Sequence, residues 1–140
     1  MKTEVNIRKR GHVMQQFRLA VCDDELFYVE EIQKFLYAYI NETENEMITD
    51  TYTSGEELLN QIEKERIIYD IVLLDVDMPA MRGTEVAKEI RSISPKTVIC
   101  FITAYEEYAY EAYQAEALGY LKKPVSYAEL KHLLNRCAIQ

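Results

Sequence analysis

The chain reads as an α/β protein built on a doubly wound, five-stranded parallel sheet. Three observations point there. Short apolar runs alternate with stretches of helical period, five times along the chain. The run Ile71-Val72-Leu73-Leu74 is apolar throughout and ends abruptly in Asp75, with Pro79 and Gly83 just beyond; such a run, bounded by turn chemistry, is a strand buried on both faces. Strand–helix alternation implies parallel strands, and right-handed crossovers put helices on both sides of the sheet.

The elements follow in order. Residues 1–16 show no sustained period and carry Lys2, Arg8, Lys9 and Arg10, so they read as a loose N-terminal extension, with Met14 as a candidate natural start. Residues 17–140 form the domain. Phe17–Cys22 is an apolar strand ending in Asp23-Asp24. Leu26, Val29, Ile32, Gln33, Leu36 and Ile40 fall near helical spacing. Met47–Tyr52 alternates like a strand. Ser54-Gly55-Glu56-Glu57 is a capping box, whose hydroxyl and carboxylate satisfy free amides at a helix start, and Leu58, Leu59 and Ile62 supply that helix's buried face. Ile71–Leu74 is the third strand. Thr84–Ile90 begins a third helix that Ser94-Pro95 closes. Val98–Thr103 is the fourth strand, Glu106–Leu118 a fourth helix rich in Ala and Tyr, and Gly119–Leu121 a short fifth strand. Ser126-Tyr127-Ala128-Glu129 is a second capping box, opening a last helix through about Cys137.

Composition narrows the function. A chain of 140 residues, 49% hydrophobic and 29% charged, suits one folded domain rather than a disordered segment. The formal charge of −8 argues against nucleic-acid binding by these residues alone, because a phosphate grip needs a basic face. The longest apolar runs are too short for a bilayer and no secretory h-region follows the early basic residues, so a cytoplasmic location is expected, with no membrane partner. Cys22, Cys100 and Cys137 are odd in number and widely spaced, which disfavours zinc or a disulfide framework. Cys22 and Cys100 are expected to be small buried hydrophobes, and His12 and His132 surface residues.

Four polar signals each end an expected strand: Asp23-Asp24, Asp75, Thr103 and Lys123-Pro124. In a parallel sheet all strand C-termini share one edge, so these distant residues are expected to converge. Three carboxylates a few ångströms apart repel, and a divalent cation relieves the repulsion. Mg²⁺ suits such a site, as a hard ion that takes carboxylate oxygens and keeps positions for a phosphate. Lys123 would neutralise phosphate oxygens, Thr103 would donate a hydrogen bond to them, and Asp75 would accept the phosphoryl group.

The motifs Asp23-Asp24, Asp75-x-x-Met78-Pro79-x-Met81-x-Gly83, Thr103-Ala104 and Tyr120-x-x-Lys123-Pro124 together resemble the receiver domain of two-component response regulators, over about Phe17 to Cys137. The resemblance implies a flavodoxin-like (βα)5 receiver fold. It further implies Asp75 as phospho-acceptor, phosphorylated by a sensor histidine kinase. Asp24 and Asp75 would bind Mg²⁺ through their side chains, Asp77 through its backbone carbonyl, and Asp23 mainly through water. Thr103 would move to the phosphoryl group, Tyr120 would turn inward after it, and Lys123, rather than its neighbour Lys122, would pair with the phosphoryl oxygens. The Lys123–Pro124 bond is expected to be cis, which proline tolerates. No catalysis is expected beyond the domain's own phosphorylation and dephosphorylation. The response would be a switch of the surface made by the fourth helix, fifth strand and fifth helix, controlling a homodimer or an output domain.

The stretches Phe101-Ile102-Thr103-Ala104-Tyr105-Glu106-Glu107-Tyr108-Ala109 and Ala117-Leu118-Gly119-Tyr120-Leu121 are similar to receivers of LytTR-type transcription factors. That likeness implies DNA binding through a separate C-terminal domain, and the chain reads as either an excised or a stand-alone receiver, with the likeness favouring excision. Two positions that tune phosphate lifetime in this family are Asp77 and Tyr105 here. An acid at the first and a shielding ring at the second imply slow autodephosphorylation. Tyr105, Tyr108 and Ala112 are either sheet-packed helix positions or contact residues, while Tyr110 and Tyr113 are expected to be exposed. Two other readings compete. A haloacid-dehalogenase-type phosphatase shares the D-x-D pattern of Asp75-Val76-Asp77, but its motif opens a first strand and its usual Thr or Val is replaced by Pro79. A pseudo-receiver, an interaction module that is never phosphorylated, usually lacks an acid, the Thr or the Lys, and all are present.

Overall fold

A computed structural model describes residues 9–10, 13–14, 17–108, 113–114 and 116–138. Lys9–Arg10 (β1) pairs antiparallel with Val13–Met14 (β2), a ribbon within the stretch expected to be loose; two residues a strand are too few to leave a period. The main sheet holds β3 (Phe17–Cys22), β4 (Met47–Tyr52), β5 (Ile71–Asp75), β6 (Val98–Thr103) and β7 (Gly119–Lys122), all parallel, in the order β4-β3-β5-β6-β7. The order reverses at β3, and in sheets of this kind ligands bind at the carboxyl ends beside that reversal.

Helices cover both faces. α1 (Leu26–Thr43) and the C-terminal helix (Tyr127–Ala138) bury Ile32, Leu36, Tyr39, Leu130 and Leu134 against Leu19, Val21 and Leu73. α2 (Gly55–Lys64) and α3 (Gly83–Ile93) bury Leu58, Ile62, Val86 and Ile90 against Ala20, Val72 and Phe101. Each such side chain contributes on the order of 1.5–3 kcal/mol through burial. β5 is buried along its whole length, as its uninterrupted apolar run requires.

Both capping boxes form. The Ser54 hydroxyl accepts the Glu57 amide at 3.2 Å, and Glu57 reaches back to the Thr53 amide at 3.1 Å. Ser126 and Glu129 exchange bonds at 3.2 and 3.1 Å. Cys22 and Cys100 are buried and His132 is exposed, as expected, while His12 lies outside the described residues. Cys137, at the end of the last helix, is half-buried against the core cluster that holds Cys100, a proximity that wide spacing concealed.

Two expectations need correction. Leu26 is 58% exposed instead of packed, as is its neighbour Phe27 at 67%, and the unexpected Tyr39 fills the core with its hydroxyl donating to the Asn135 side chain at 2.9 Å. The stretch Glu106–Leu118 begins as a 3-10 turn, Glu106–Tyr108. It is no longer helical at Leu118: Glu116 is left-handed (φ 58°), and the Leu118 amide already donates to Ile99 in the sheet at 2.8 Å. The side chain of Tyr108, and Tyr110 and Ala112 entirely, lie outside the described residues. Tyr113 is exposed, as expected.

Candidate functional site

Register alone brings the four strand-end signals together. Cys22 pairs with Leu74, which aligns Asp23 with Asp75. Asp75 pairs with Ile102, one residue before Thr103, and Thr103 pairs with Lys122, one before Lys123. The Asp23 amide donates to Tyr52 at 3.1 Å and the Lys123 amide to Thr103 at 2.8 Å, so both loops leave the sheet tied to a neighbouring strand.

The result is a cleft of about 280 Å³ lined by Asp24, Glu25, Asp75, Asp77, Ala104, Tyr105 and Lys123. Carboxylate oxygens of Asp23, Asp24 and Asp75 lie within 4.8 Å of one another. Asp23 and Asp75 are buried while Asp24 faces solvent. Lys123 Nζ, itself buried, sits 2.7 Å from Asp23 and 3.6 Å from both Asp75 and Glu25. Three hard, negatively charged oxygen donors in one concave site, with room beside them, fit Mg²⁺.

The electrostatics are strained. Burial, then the Asp23 charge, pushes the Asp75 carboxyl up to about 7, although Lys123 and the Asp77 amide pull the other way. Burial works against the Lys123 charge, but its bond to Asp23 and the Asp75, Asp23 and Glu25 charges outweigh it and hold the ammonium above its ordinary value.

The loop after β5 is shaped by its sequence. Ala80 is left-handed (φ 67°), and the Gly83 amide returns to the Val76 carbonyl at 2.9 Å. A Cβ on Gly83 would stand 2.1 Å from the Asp75 carbonyl oxygen, so only glycine lets α3 start this close to the acceptor strand. The Arg82 guanidinium carries only donors and cannot accept an amide of α3; Glu85 accepts the Arg82 amide at 2.9 Å.

Each expected site residue can now be placed. Asp23, Asp24, Asp75 and Lys123 converge, and the Lys123–Pro124 bond is cis. Lys122 points away and pairs with Glu106 at 3.4 Å. Thr103 is fully buried behind the wall made by Ala104 and Tyr105, its hydroxyl accepting the Tyr105 amide at 3.3 Å. Asp77 and Tyr105 line the cleft. Tyr120 is half-buried against the α2–α3 side of the core, and its buried hydroxyl has no hydrogen-bond partner among the described residues. Sequence reasoning missed Glu25, whose amide caps Asp23 at 2.9 Å and whose carboxylate faces Lys123, and Tyr28, whose ring lies under the same ammonium. Their only signal is position: one residue and one helical turn beyond Asp24.

Comparison with known proteins decides the family. The response regulator receiver domain model matches residues 19–135. The chain belongs to the response regulator receiver domains. This receiver is 32% identical over 124 residues to the sensory transduction protein LytT of Oceanobacillus iheyensis, covering 86% of the chain and 48% of that protein. It is 38% identical over 86 residues to the positive alginate biosynthesis regulatory protein of Pseudomonas aeruginosa, covering 61% of the chain and 34% of the relative. The chain thus spans about half the length, or less, of these curated relatives. Among solved structures, TrrA of Thermotoga maritima in complex with Mg²⁺ and beryllofluoride superposes with a TM-score of 0.73 at 32% identity, covering 86% of this chain and 98% of that one. The receiver domain of AraT from Geobacillus stearothermophilus superposes at 0.74 and 28% identity, covering 88% and 93%. Among the described residues no helix is long and apolar enough to cross a membrane.

Proposed function

We propose that this receiver takes a phosphoryl group from a sensor histidine kinase onto Asp75, in a Mg²⁺-dependent reaction. One observation carries the reading: a buried lysine bridges Asp23 and Asp75, at 2.7 and 3.6 Å, in a cleft where three carboxylates meet. Asp23, Asp24 and Asp75 would hold the cation, with the Asp77 backbone carbonyl as a further ligand. Mg²⁺ bound there would neutralise charge on the transferred group. An oxygen of Asp75 forms the new P–O bond as the donor's P–N bond breaks and the imidazole leaves. Lys123 then turns from the carboxylates toward the phosphoryl oxygens, and Thr103 donates to them from the end of β6.

The new group biases a two-state surface. Thr103 is drawn toward the phosphoryl group, Tyr120 follows inward, and the face formed by the segment after β6, β7 and the C-terminal helix changes its fit to a partner. That partner would be a second receiver or a C-terminal DNA-binding domain, as the likeness to LytT suggests. A cytoplasmic location accords with such a role. Asp77 and Tyr105, on the cleft wall, would slow hydrolysis: the acid repels a hydroxide-like attacker and the ring covers its approach. Replacing Tyr105 with alanine is expected to quicken loss of the phosphoryl group, and an unchanged lifetime would remove the shielding role.

The test of the whole reading is intact mass after incubation with acetyl phosphate and Mg²⁺. Wild type is expected to gain one phosphoryl unit, with no gain in Asp75→Asn or in EDTA. No gain under conditions that label a control receiver would leave an unphosphorylated interaction module.

A further inference from the structure

We infer that Tyr28 is a positioning residue for Lys123, its ring holding the ammonium in the cleft without competing for the hydrogen bonds that phosphoryl oxygens need. The inference rests on the receiver reading above.

Lys123 faces a conflict. Its charge must be near Asp75, yet its three N–H donors must be free to turn to a new group there. A lysine is a point charge on a flexible four-carbon stem, so something must localise it. Carboxylates localise it by accepting its protons: Asp23 does so at 2.7 Å, and Asp75 and Glu25 lie at 3.6 Å. Every such bond must be broken or stretched for Lys123 to engage a phosphoryl oxygen. An aromatic face differs, because its attraction for a cation comes from the ring quadrupole and leaves the donors free to rotate.

Tyr28 supplies that face. It sits in the first turn of α1, where its amide donates to Glu25 at 3.0 Å. Lys123 Nζ lies 4.0 Å from the ring centroid, well inside cation–π range. The Tyr28 ring is steadied by Phe27, edge-on at 5.2 Å and 78°. Only 3% of the Lys123 side chain is exposed, so the attraction operates in a largely dehydrated setting, where it is strongest. Glu25, on the same turn, is a weaker tether because 60% of its side chain is in water.

The experiment measures the rate of acetyl phosphate labelling by intact mass, alongside Mg²⁺ affinity and the thermal midpoint of the unlabelled protein. Tyr28→Leu is expected to slow labelling about tenfold, the scale of one desolvated cation–π contact. Tyr28→Phe, which keeps the ring, is expected to rescue the rate. Mg²⁺ affinity should stay near wild type in both, and the thermal midpoint of Tyr28→Leu should fall only by the few degrees that one such contact supplies. In a Lys123→Met background, Tyr28→Leu should have no further effect, because the pair acts as one unit. Four results would overturn the inference: labelling of Tyr28→Leu at the wild-type rate; Tyr28→Phe as slow as Tyr28→Leu; the same loss in the Lys123→Met background; or a joint fall of Mg²⁺ affinity and midpoint, which makes Tyr28 a packing residue. Wild type that takes no label overturns the receiver reading itself, a distinct outcome.

Discussion

Two polar clusters in this molecule invite comparison. At the carboxyl edge of the sheet, Asp23, Asp24, Asp75 and Glu25 crowd around the single ammonium of Lys123. Under α2, Asp50 accepts from the Tyr69 hydroxyl at 2.7 Å and from Arg18 Nε at 3.1 Å, while the Tyr52 and Tyr69 hydroxyls bond to each other. The second cluster has one acid and enough donors, and Arg18 also lies 5.7 Å from the Tyr69 ring. It is a satisfied network that joins β3, β4 and the entry to β5. The first has acids in excess and buries two of them, Asp23 and Asp75. Excess like charge in a cleft is stabilised only by something arriving, which is why it marks a site and the Asp50 network does not.

The comparison breaks most visibly at the two cations. Lys123→Met should destabilise the metal-free protein by about 3–5 kcal/mol near neutral pH, since it leaves buried carboxylates unpaired. Arg18→Met, with a side chain 32% exposed, should cost about 1 kcal/mol or less. Urea unfolding in EDTA reads both, and equal losses would erase the distinction.

The acids should respond with opposite signs. Asp75 has its folded-state carboxyl raised to about 7, so the folded protein holds a proton that the unfolded chain gives up near its ordinary value of 3.8. Metal-free stability therefore falls as pH rises between those values, and the loss is complete above them. Asp75→Asn escapes that loss and should gain roughly 2–4 kcal/mol in EDTA at about pH 8, with the gain shrinking toward about pH 4. Asp50→Asn should lose stability, because a carboxylate bonded to Arg18 and Tyr69 is replaced by a weaker acceptor. A destabilised Asp75→Asn in urea titrations would contradict the strained-site picture.

Smaller effects sharpen the contrast. Tyr69→Phe removes a hydroxyl that serves both Tyr52 and Asp50 and should cost about 1–2 kcal/mol, with or without Mg²⁺. Mg²⁺ should raise the thermal midpoint of wild type more at about pH 8 than at about pH 6, because protons compete for Asp75, and should do the same for Tyr69→Phe. Differential scanning in both conditions checks this, and a pH-independent rise would argue against Asp75 as a ligand.

Much of the molecule could be read from the chain because the governing forces are local. The uninterrupted apolar run Ile71–Leu74 describes a strand covered on both faces, and Ser54 and Ser126 mark helix starts through bonds to residues three positions on. Acids, Thr103 and Lys123 at strand ends predicted one shared edge because parallel strands point one way. Local signals failed where segments meet. Leu26 has the period of a core residue but stands exposed in the first turn of α1, and the helix expected through Leu118 yields to a sheet bond with Ile99.

Only the tertiary structure decided how the converging groups pair. Strand order β4-β3-β5-β6-β7 sets Asp23 beside Asp75, and the turn of Lys123 rather than Lys122 into the cleft places the ammonium among three carboxylates. Gly83 is required by a carbonyl eight residues earlier, Tyr69 by an acid on another strand, and Tyr28 lies under a lysine from the far end of the chain. Composition and period mark most of the buried residues, Leu26 and Tyr39 excepted. Which buried charge meets which donor depends on distances between segments, and those exist only once the sheet has closed.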